Sequence, residues 1–293
     1  MNDRDVPRLD LSDRELALAV EESLFDLFRA LARLPGAELE ELGVYCRHHA
    51  FPTNPMFKGI WGTRLAPDDV HAAAEEALAW YRERDAPFAF WWAGPTTEPE
   101  AAALGAALEP HGFAPFEIDA PGQVAELRAL DWGALARVPE GFRVERVHDE
   151  RGLDAFSRTF VEAFEIPESS GNAWVDATRT IGIGRSPWDP YVGWLGDRPV
   201  ATTMLFCGAG VATVFAIATV EDVRGQGIGA AITLAGLADA RDHGYRYGVL
   251  FATELGAPVY RRIGFRDADA AISRWLWTAD GSADLRRGQT RGV

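Results

Sequence analysis

The segment VEDVRGQGIGAAI, residues 220–232, places three glycines at alternate positions behind an arginine and then continues into an apolar run. Glycine lacks a Cβ, so consecutive backbone N–H groups in such a loop can turn toward a ligand and approach it closely. The residues that follow repeat apolar side chains at spacings of three and four, which is typical of a buried helix face. The segment therefore predicts a glycine-rich loop at the amino end of a helix.

The amino end of a helix carries partial positive charge and unpaired N–H donors, and both favour a phosphate or pyrophosphate group. From Arg224 to Arg266, six arginines stand against three acidic residues, a local balance of +3 in a chain whose formal net charge is −15. A local excess of positive charge in an acidic chain fits an anionic cofactor. From these residues alone, an ordinary connection between a strand and a helix remains the alternative.

Composition excludes several other classes of partner. The net charge of −15 disfavours nucleic acid, because a protein neutralises phosphates with a basic face. Cys46 and Cys207 are the only cysteines, and without a CxxC pair they predict neither a disulfide framework nor a metal site. The chain has no apolar run of eighteen residues, and its start, MNDRDVPRLDLSDREL, is too charged for a signal peptide. We therefore expect a cytoplasmic protein without a membrane partner.

The second half of the chain has a coherent predicted order of elements. It reads as a strand, two helices, three strands in hairpins, the glycine loop with its helix, a strand, a short helix and two closing strands. The predicted segments are 141–147, 153–164, 172–182, three strands between 190 and 220, a helix ending near Asp242, 245–253, 257–263 and 264–278. Antiparallel strands mixed with helices in this order predict an α+β domain with a mixed sheet.

Two motifs in this half resemble those of the GNAT family of N-acetyltransferases. Arg224, Gly227 and Gly229 match the signature Arg/Gln-x-x-Gly-x-Gly/Ala, and TELGAPVYRRIGF, residues 253–265, resembles the second cofactor-side segment of that family. The loop also partly fits a dinucleotide-binding fingerprint. In that fold, however, the first glycine directly follows a strand and opens a series of strand–helix repeats, whereas here hairpin strands precede the loop.

The resemblance covers residues 141–278 and implies acetyl-CoA as the cosubstrate. It implies that backbone amides of the loop bind the pyrophosphate beside Arg224, and that the preceding strand runs alongside the pantetheine arm. The cofactor-binding residues implied in this way are Ile217, Ala218, Thr219 and Val220 in the strand, Arg224, Gly225, Gln226, Gly227, Ile228 and Gly229 in the loop, and Thr253 near the sulfur.

Acyl transfer from a thioester to an amine needs an unprotonated amine, donors for the oxyanion and a proton for the departing thiolate. Tyr260 is the candidate general acid, since the ordinary pKa values of tyrosine and thiol, about 10 and 8.5, make the transfer workable. The base stays open, because the strand at 211–220 contains no carboxylate. Glu254 is the candidate, with Glu162, Glu165 or a water held by the backbone as alternatives.

The first half repeats the predicted order helix, strand, helix, Gly-Phe and closing strands. Gly112-Phe113 takes the place of Gly264-Phe265, but the segment at 56–70 has no Arg-x-x-Gly-x-Gly loop. Before this repeat, Ser12 and Glu15 predict a capping box at the start of an amphipathic helix. We therefore predict an α+β fold of two similar domains in tandem, of which the first lacks cofactor chemistry. An unrelated α/β domain is the alternative for the first half. The predicted division is 1–128, a linker at 129–140, a cofactor-binding domain at 141–280 and a flexible tail at 281–293.

The sequence thus predicts an N-acetyltransferase that binds one acetyl-CoA per chain. Its acceptor would be an amine on a small molecule or peptide, and three acidic residues would attract a cationic amine, namely Glu162, Glu165 and Glu168. Trp174 is expected to add an aromatic side to the acceptor site. A non-catalytic acyl-CoA-binding or sensor module of the same fold is the alternative function.

Overall fold

The fold was analysed in a computed structural model, which describes residues 6–50 and 55–281. The predicted tail at 281–293 lies outside the described residues, apart from Gly281. In the first half the elements are α1 (Asp13–Leu31), β1 (Glu38–Glu41), β2 (Cys46–His49), β3 (Lys58–Trp61), α2 (Val70–Arg82), β4 (Phe88–Ala93), α3 (Ala101–Leu108) and β5 (Ala114–Glu126). In the second half they are β6 (Phe142–Arg146), α4 (Glu150–Phe164), α5 (Glu168–Ile181), β7 (Trp188–Leu195), β8 (Arg198–Gly208), β9 (Val211–Thr219), α6 (Ile228–Asp242), β10 (Tyr247–Phe251), α7 (Ala257–Ile263) and β11 (Arg266–Thr278).

The two halves repeat one order of elements, three strands followed by helix, strand, helix and strand. In each half the three strands are antiparallel and the next strand is parallel to the third, β4 beside β3 and β10 beside β9. Gly112 and Gly264, which end the last helical turn of each half, both adopt a left-handed conformation with φ of 86° and 109°. The predicted fold class, an α+β fold of two similar units in tandem, is confirmed.

All the strands of the described residues form one continuous sheet, in the order β1-β2-β3-β4-β11-β5-β10-β9-β8-β7-β6. The last strand of each half lies in the sheet of the other half, since β5 pairs with β10 and β11 pairs with β4. β5 and β11 also pair with each other at the centre. The division into domains at 128 and 141 remains a prediction about sequence units, because the halves share hydrogen-bonded strands.

The prediction of two closing strands at 264–278 was wrong. Residues Arg266–Thr278 form the single strand β11, whose pairing with β5 shifts register between Asp267 and Ala271. Such irregularities bend a strand without ending it, so the polar residues that suggested a turn lie within one strand.

Helix α1 crosses the centre of the sheet and contacts both halves. Its capping box is confirmed, because the Ser12 side chain accepts from the Glu15 N–H and the Glu15 carboxylate accepts from the Ser12 N–H. Farther along the helix, the Ser23 and Thr213 hydroxyls share a buried hydrogen bond of 2.5 Å. Of the helices in residues 6–50 and 55–281, none combines the length and apolar character that crossing a bilayer requires.

Candidate functional site

A cavity of about 600 Å³ lies beside the amino end of α6, where β9 and β10 separate. These parallel strands pair at Gly248 with Ala212 and at Val249 with Thr213, and the cavity lies beyond those pairs toward their carboxyl ends. The carboxyl edge of parallel strands is a common place for a ligand site. The residues that line the cavity are Ala134, Arg137, Ala163, Phe164, Ile217, Ala218, Thr219, Arg224, Gly225, Gly227, Gly229, Ala230, Thr253, Leu255, Gly256, Val259, Tyr260, Arg262 and Ile263.

The glycine loop presents the uncapped start of α6 to this cavity. Gly225 and Gly227 have positive φ values of 77° and 84°, which residues with a Cβ adopt at a cost. Gly227 is the N-cap of α6 and makes no side-chain cap, whereas Asp149 caps α4 by accepting from the Gly152 N–H at 2.8 Å. In the described part of the chain no side chain caps the start of α6, and free amides at the start of a helix are the arrangement that binds anions.

Nine of the predicted site residues line the cavity, and four do not. Ile217, Ala218, Thr219, Arg224, Gly225, Gly227, Gly229, Thr253 and Tyr260 line it. Val220 and Ile228 are buried in the core, and the Val220 N–H donates to Val200 O at 3.0 Å. The side chains of Gln226 and Glu254 are exposed, and neither residue is part of the cavity lining. Most of the predicted cofactor residues thus lie together around the cavity, whereas Glu254, the candidate base, is not part of its lining.

Arg224 connects three elements around the cavity. Its Nε donates to Thr219 O at 2.9 Å and its Nη2 donates to Ala163 O at 3.2 Å. These two bonds join the loop to the end of β9 and to the last turn of α4. Arg224 therefore holds the shape of the loop and also contributes positive charge to the cavity.

Strand β9 contains a bulge beside the cavity that sequence reasoning missed. Its pairing with β8 shifts between Thr202 and Met204, and Ala216 in the bulge has a φ of 52°. The Thr202 hydroxyl donates to Ala216 O at 2.8 Å. Bulges near active sites redirect the backbone, and here the redirected residue, Ile217, lines the cavity. An alanine carries no sequence signal for this conformation, which depends on the pairing with β8.

Tyr260 lies on α7 with 7% of its surface exposed and lines the cavity. Burial raises the pKa of its phenol above the ordinary value of about 10, which widens the gap from the pKa of a thiol. A Cβ at Gly256 would come within 3.1 Å of the Tyr260 hydroxyl oxygen and 2.8 Å of its ring. Gly256 therefore leaves room for the tyrosine, a role that sequence reasoning did not assign.

The cavity is cationic. Its lining contains three arginines, Arg137, Arg224 and Arg262, and no Asp or Glu among the described residues. Most of the other arginines in the predicted basic region are paired, for example Arg261 with Asp267 at 2.7 Å. Sequence reasoning missed Arg137, because it lies in the predicted linker, far from the glycine loop in sequence.

The acidic residues and the tryptophan predicted near the acceptor do not line the cavity. Glu162, Glu165 and Glu168 are exposed on α4, its C-cap and α5, and the Glu162 carboxylate is 3.4 Å from Arg198. Trp174 is buried, with its ring 4.9 Å from Phe57 and 5.4 Å from Phe215 between centroids. It is therefore part of the core rather than an exposed aromatic surface. In the described part of the chain, no group of three or more His, Cys, Asp or Glu side chains could hold a metal ion.

Comparison with known proteins finds a distant relative in sequence and several similar folds. No family model matches the chain. A mycothiol acetyltransferase of Saccharomonospora viridis is 27% identical over 153 residues, 46% of this chain and 49% of the relative. The chain thus matches about half the length of that curated relative.

Solved structures are similar over nearly the whole chain. A GCN5-related N-acetyltransferase from Kribbella flavida superposes with a TM-score of 0.69 and 18% identity, over 95% of this chain and 100% of the other. A tandem GNAT protein from the clavulanic acid biosynthesis pathway superposes with a TM-score of 0.56 and 17% identity, over 94% and 98% of the two chains. At these identities the similarity concerns the fold.

Proposed function

We propose that this chain, which has the tandem fold of the GCN5-related N-acetyltransferases, transfers an acetyl group from acetyl-CoA to an amine. The observation that carries the proposal is the uncapped amino end of α6, which opens into a cationic cavity without carboxylates among the described residues. Such a cavity suits a polyanionic cosubstrate. The distant mycothiol acetyltransferase relative supports acetyl transfer as the reaction class.

The residues present fit CoA. A side chain at Gly225 or Gly227 would need an unfavourable backbone conformation, and both glycines leave the loop amides open to a pyrophosphate. Beyond the bulge, Ile217, Ala218 and Thr219 line the cavity from β9 and would pair with the pantetheine arm through their backbone. When bound, acetyl-CoA supplies the activated acetyl group.

The chemistry follows from direct attack. The amine nitrogen forms a bond to the acetyl carbonyl carbon, and the bond from that carbon to sulfur breaks. The Tyr260 hydroxyl donates a proton to the departing sulfur, and the resulting phenolate recovers a proton from water. Backbone N–H groups redirected by the bulge at Ala216 would donate to the carbonyl oxygen as negative charge develops on it.

Because no carboxylate of the described residues lines the cavity, the amine would lose its surplus proton to water rather than to Glu254. A water held by the backbone was one of the alternatives from the sequence. The acceptor would be an amine on a small molecule or peptide, and the exposed Glu165 and Glu168 would attract a cationic one toward the turn between α4 and α5.

Calorimetric titration with acetyl-CoA, followed by mass spectrometry of products across a panel of amines, tests the proposal. One bound acetyl-CoA per chain and an acetylated amine are expected. Two equivalent sites would show that the first half also binds the cosubstrate. Tight binding without any product across cationic, neutral and anionic amines would instead support the alternative of a non-catalytic sensor, and no binding at all would refute both.

A further inference from the structure

We infer that the linker, residues 129–140, carries a phosphate-monoester subsite in which Arg137, together with Arg262 of α7, binds the 3′-phosphate of CoA. The inference rests on the proposed function, since it concerns how the same cavity recognises its cosubstrate. It predicts that the protein distinguishes CoA from dephospho-CoA.

The linker is fixed against the cofactor side of the fold. Leu130 and Ala134 are buried, and the Asp131 N–H donates to Ile263 O at 2.9 Å. The guanidinium of Arg241 in α6 stacks on the Trp132 ring at 4.1 Å. These contacts tie the segment to both helices that border the cavity, so Ala134 and Arg137 form one side of it.

Arg137 lies directly against the glycine loop. A Cβ placed on Gly227 would collide with the carbonyl oxygen of Arg137. The linker backbone and the second glycine of the loop are therefore in close contact, and the Arg137 side chain is at the mouth of the anion site, with 61% of its surface exposed. Its ion pair is with Asp131, whose carboxylate is also exposed.

Arg262 of α7 supplies a further positive charge to the lining of the same cavity. Its neighbour Arg261 is paired with Asp267, but Arg262 has no carboxylate within ion-pair distance in residues 6–50 and 55–281. Two guanidinium groups with no buried carboxylate partner thus face a cavity that already has helix amides and Arg224 for a pyrophosphate. The additional charge fits an additional anionic group on the ligand.

A phosphate monoester would bind these two guanidinium groups more strongly than a further phosphodiester would. It carries close to two negative charges at neutral pH and three oxygens that can accept from guanidinium groups. Water screens the exposed pair between Arg137 and Asp131, so a doubly charged phosphate can replace the carboxylate at the arginine. The ribose 3′-phosphate is the group that CoA has and dephospho-CoA lacks.

The experiment measures Kd for CoA and for dephospho-CoA by calorimetry at fixed salt. We expect the unaltered protein to bind CoA at least about tenfold more tightly, because dephospho-CoA cannot form the charge-assisted hydrogen bonds to the guanidinium groups. Arg137→Ala and Arg262→Ala should each reduce this ratio at least about threefold, while the Kd for dephospho-CoA changes less than about twofold.

Arg128→Ala is the matched control, because Arg128 is exposed just before the linker and does not line the cavity. It removes the same charge and should leave the ratio unchanged. Asp131→Asn frees Arg137 from its partner while retaining its charge, so it should keep or increase the ratio. A ratio that falls in Asp131→Asn would show that Arg137 acts only by holding the linker, and would overturn the inference.

The outcomes separate the inference from the proposed function. If CoA and dephospho-CoA bind equally well, or if Arg137→Ala retains the full ratio, the subsite is refuted while cosubstrate binding stands. If neither molecule binds, the proposed function itself fails. Melting temperatures of each variant confirm that a change in ratio does not come from unfolding.

Discussion

The two halves contain the same junction, a strand that leads through a loop into a helix, but only one junction is built for an anion. In the second half β9 leads into α6 through a helical turn at Glu221–Val223 and then the glycines of residues 225–229, so that the acids of this turn lie six or more residues before the helix. In the first half β3 leads into α2 through a short helical turn at Pro67–Asp69, with Asp68 and Asp69 before the helix. Carboxylates there occupy the region of partial positive charge that a phosphate would need.

The strands before the two junctions differ as well. β9 has nine residues and a bulge, whereas β3 has four residues and pairs with β2 without a register shift. The side chain of Leu108, four residues before Gly112, takes the place of Tyr260, four residues before Gly264. A repeated fold therefore preserves the packing, while the chemistry depends on a few backbone conformations and side chains that the first half lacks.

The largest effect, a loss of acetyl-CoA affinity, is expected when an acidic residue like those before α2 is introduced at the start of α6. Gly229→Asp adds a carboxylate in the first turn of α6, where its Cβ would meet only the Thr219 hydroxyl at 3.7 Å and Val259 at 4.0 Å. The helix dipole favours the acid, so folding should survive. Acetyl-CoA affinity should fall at least about 100-fold, since like charges a few ångströms apart repel by several kcal/mol.

Gly229→Asn is the neutral control of the same size, and calorimetry on both variants separates charge from bulk. Equal losses of affinity would mean that space, not charge, excludes the phosphate. Gly227 is a poorer site for this test, because a side chain there also strains the loop and displaces the linker.

The stability of the first half should depend on pH because of the buried His48. His48 is fully buried and accepts a hydrogen bond from Trp61 Nε1 at its Nδ1, and burial lowers its pKa to about 3. In the unfolded chain this histidine gains a proton near pH 6.5, whereas the folded chain excludes it. Stability is therefore present above pH 6.5 and is lost progressively as the pH falls toward 3.

From pH 7.5 to pH 5, His48 should reduce the free energy of unfolding by about 2 kcal/mol. Urea titrations at both pH values measure it. His48→Asn retains an acceptor for Trp61 and should lack this part of the pH dependence, although His49, whose pKa burial also lowers, still contributes. The exposed His148, changed to Asn, is the control that should leave the dependence intact. An unchanged slope in His48→Asn would contradict the assignment.

Tyr260→Phe tests the side chain for which the first half has a leucine. The change removes one oxygen and retains the packing against Phe265, whose ring centroid is 6.2 Å away. We expect kcat to fall at least about tenfold with little change in acetyl-CoA affinity, because general acid catalysis contributes about 10²–10⁴-fold and a thiolate leaves readily. The loss should shrink at low pH, where solvent supplies the proton. Full activity at neutral pH, with chemistry rate-limiting, would assign Tyr260 to packing alone.

The smallest effect concerns the bulge that β3 lacks. Thr202→Val removes the hydrogen bond to Ala216 O and should lower the free energy of unfolding by about 1 kcal/mol. Thr203→Val is the matched control, because the buried Thr203 hydroxyl has no hydrogen-bond partner among the described residues, and its loss should be neutral or stabilising. Urea titration of both variants would contradict the role of Thr202 if the two changed stability equally.

Local sequence patterns predicted most of the elements and much of the cofactor side of the site. Gly225 and Gly227 predicted a loop with unusual backbone angles, and the apolar spacing that follows predicted α6. The motif at 253–265 identified Tyr260 as a site residue. These patterns are local in sequence, so they can be recognised without knowledge of the fold. The capping box at Ser12 and the turns that end at Gly112 and Gly264 were predictable for the same reason.

Contacts between groups far apart in the sequence depend on the tertiary structure. It exchanged β5 and β11 between the halves, brought Arg137 to the glycine loop, placed Glu254 outside the cavity and bent β9 at Ala216. Strand order and register arise from pairing between segments far apart in the chain, and alternation along one strand does not reveal its neighbour. Arg137 becomes part of the site only because the linker packs against the glycine loop, and no local sequence pattern predicts that contact.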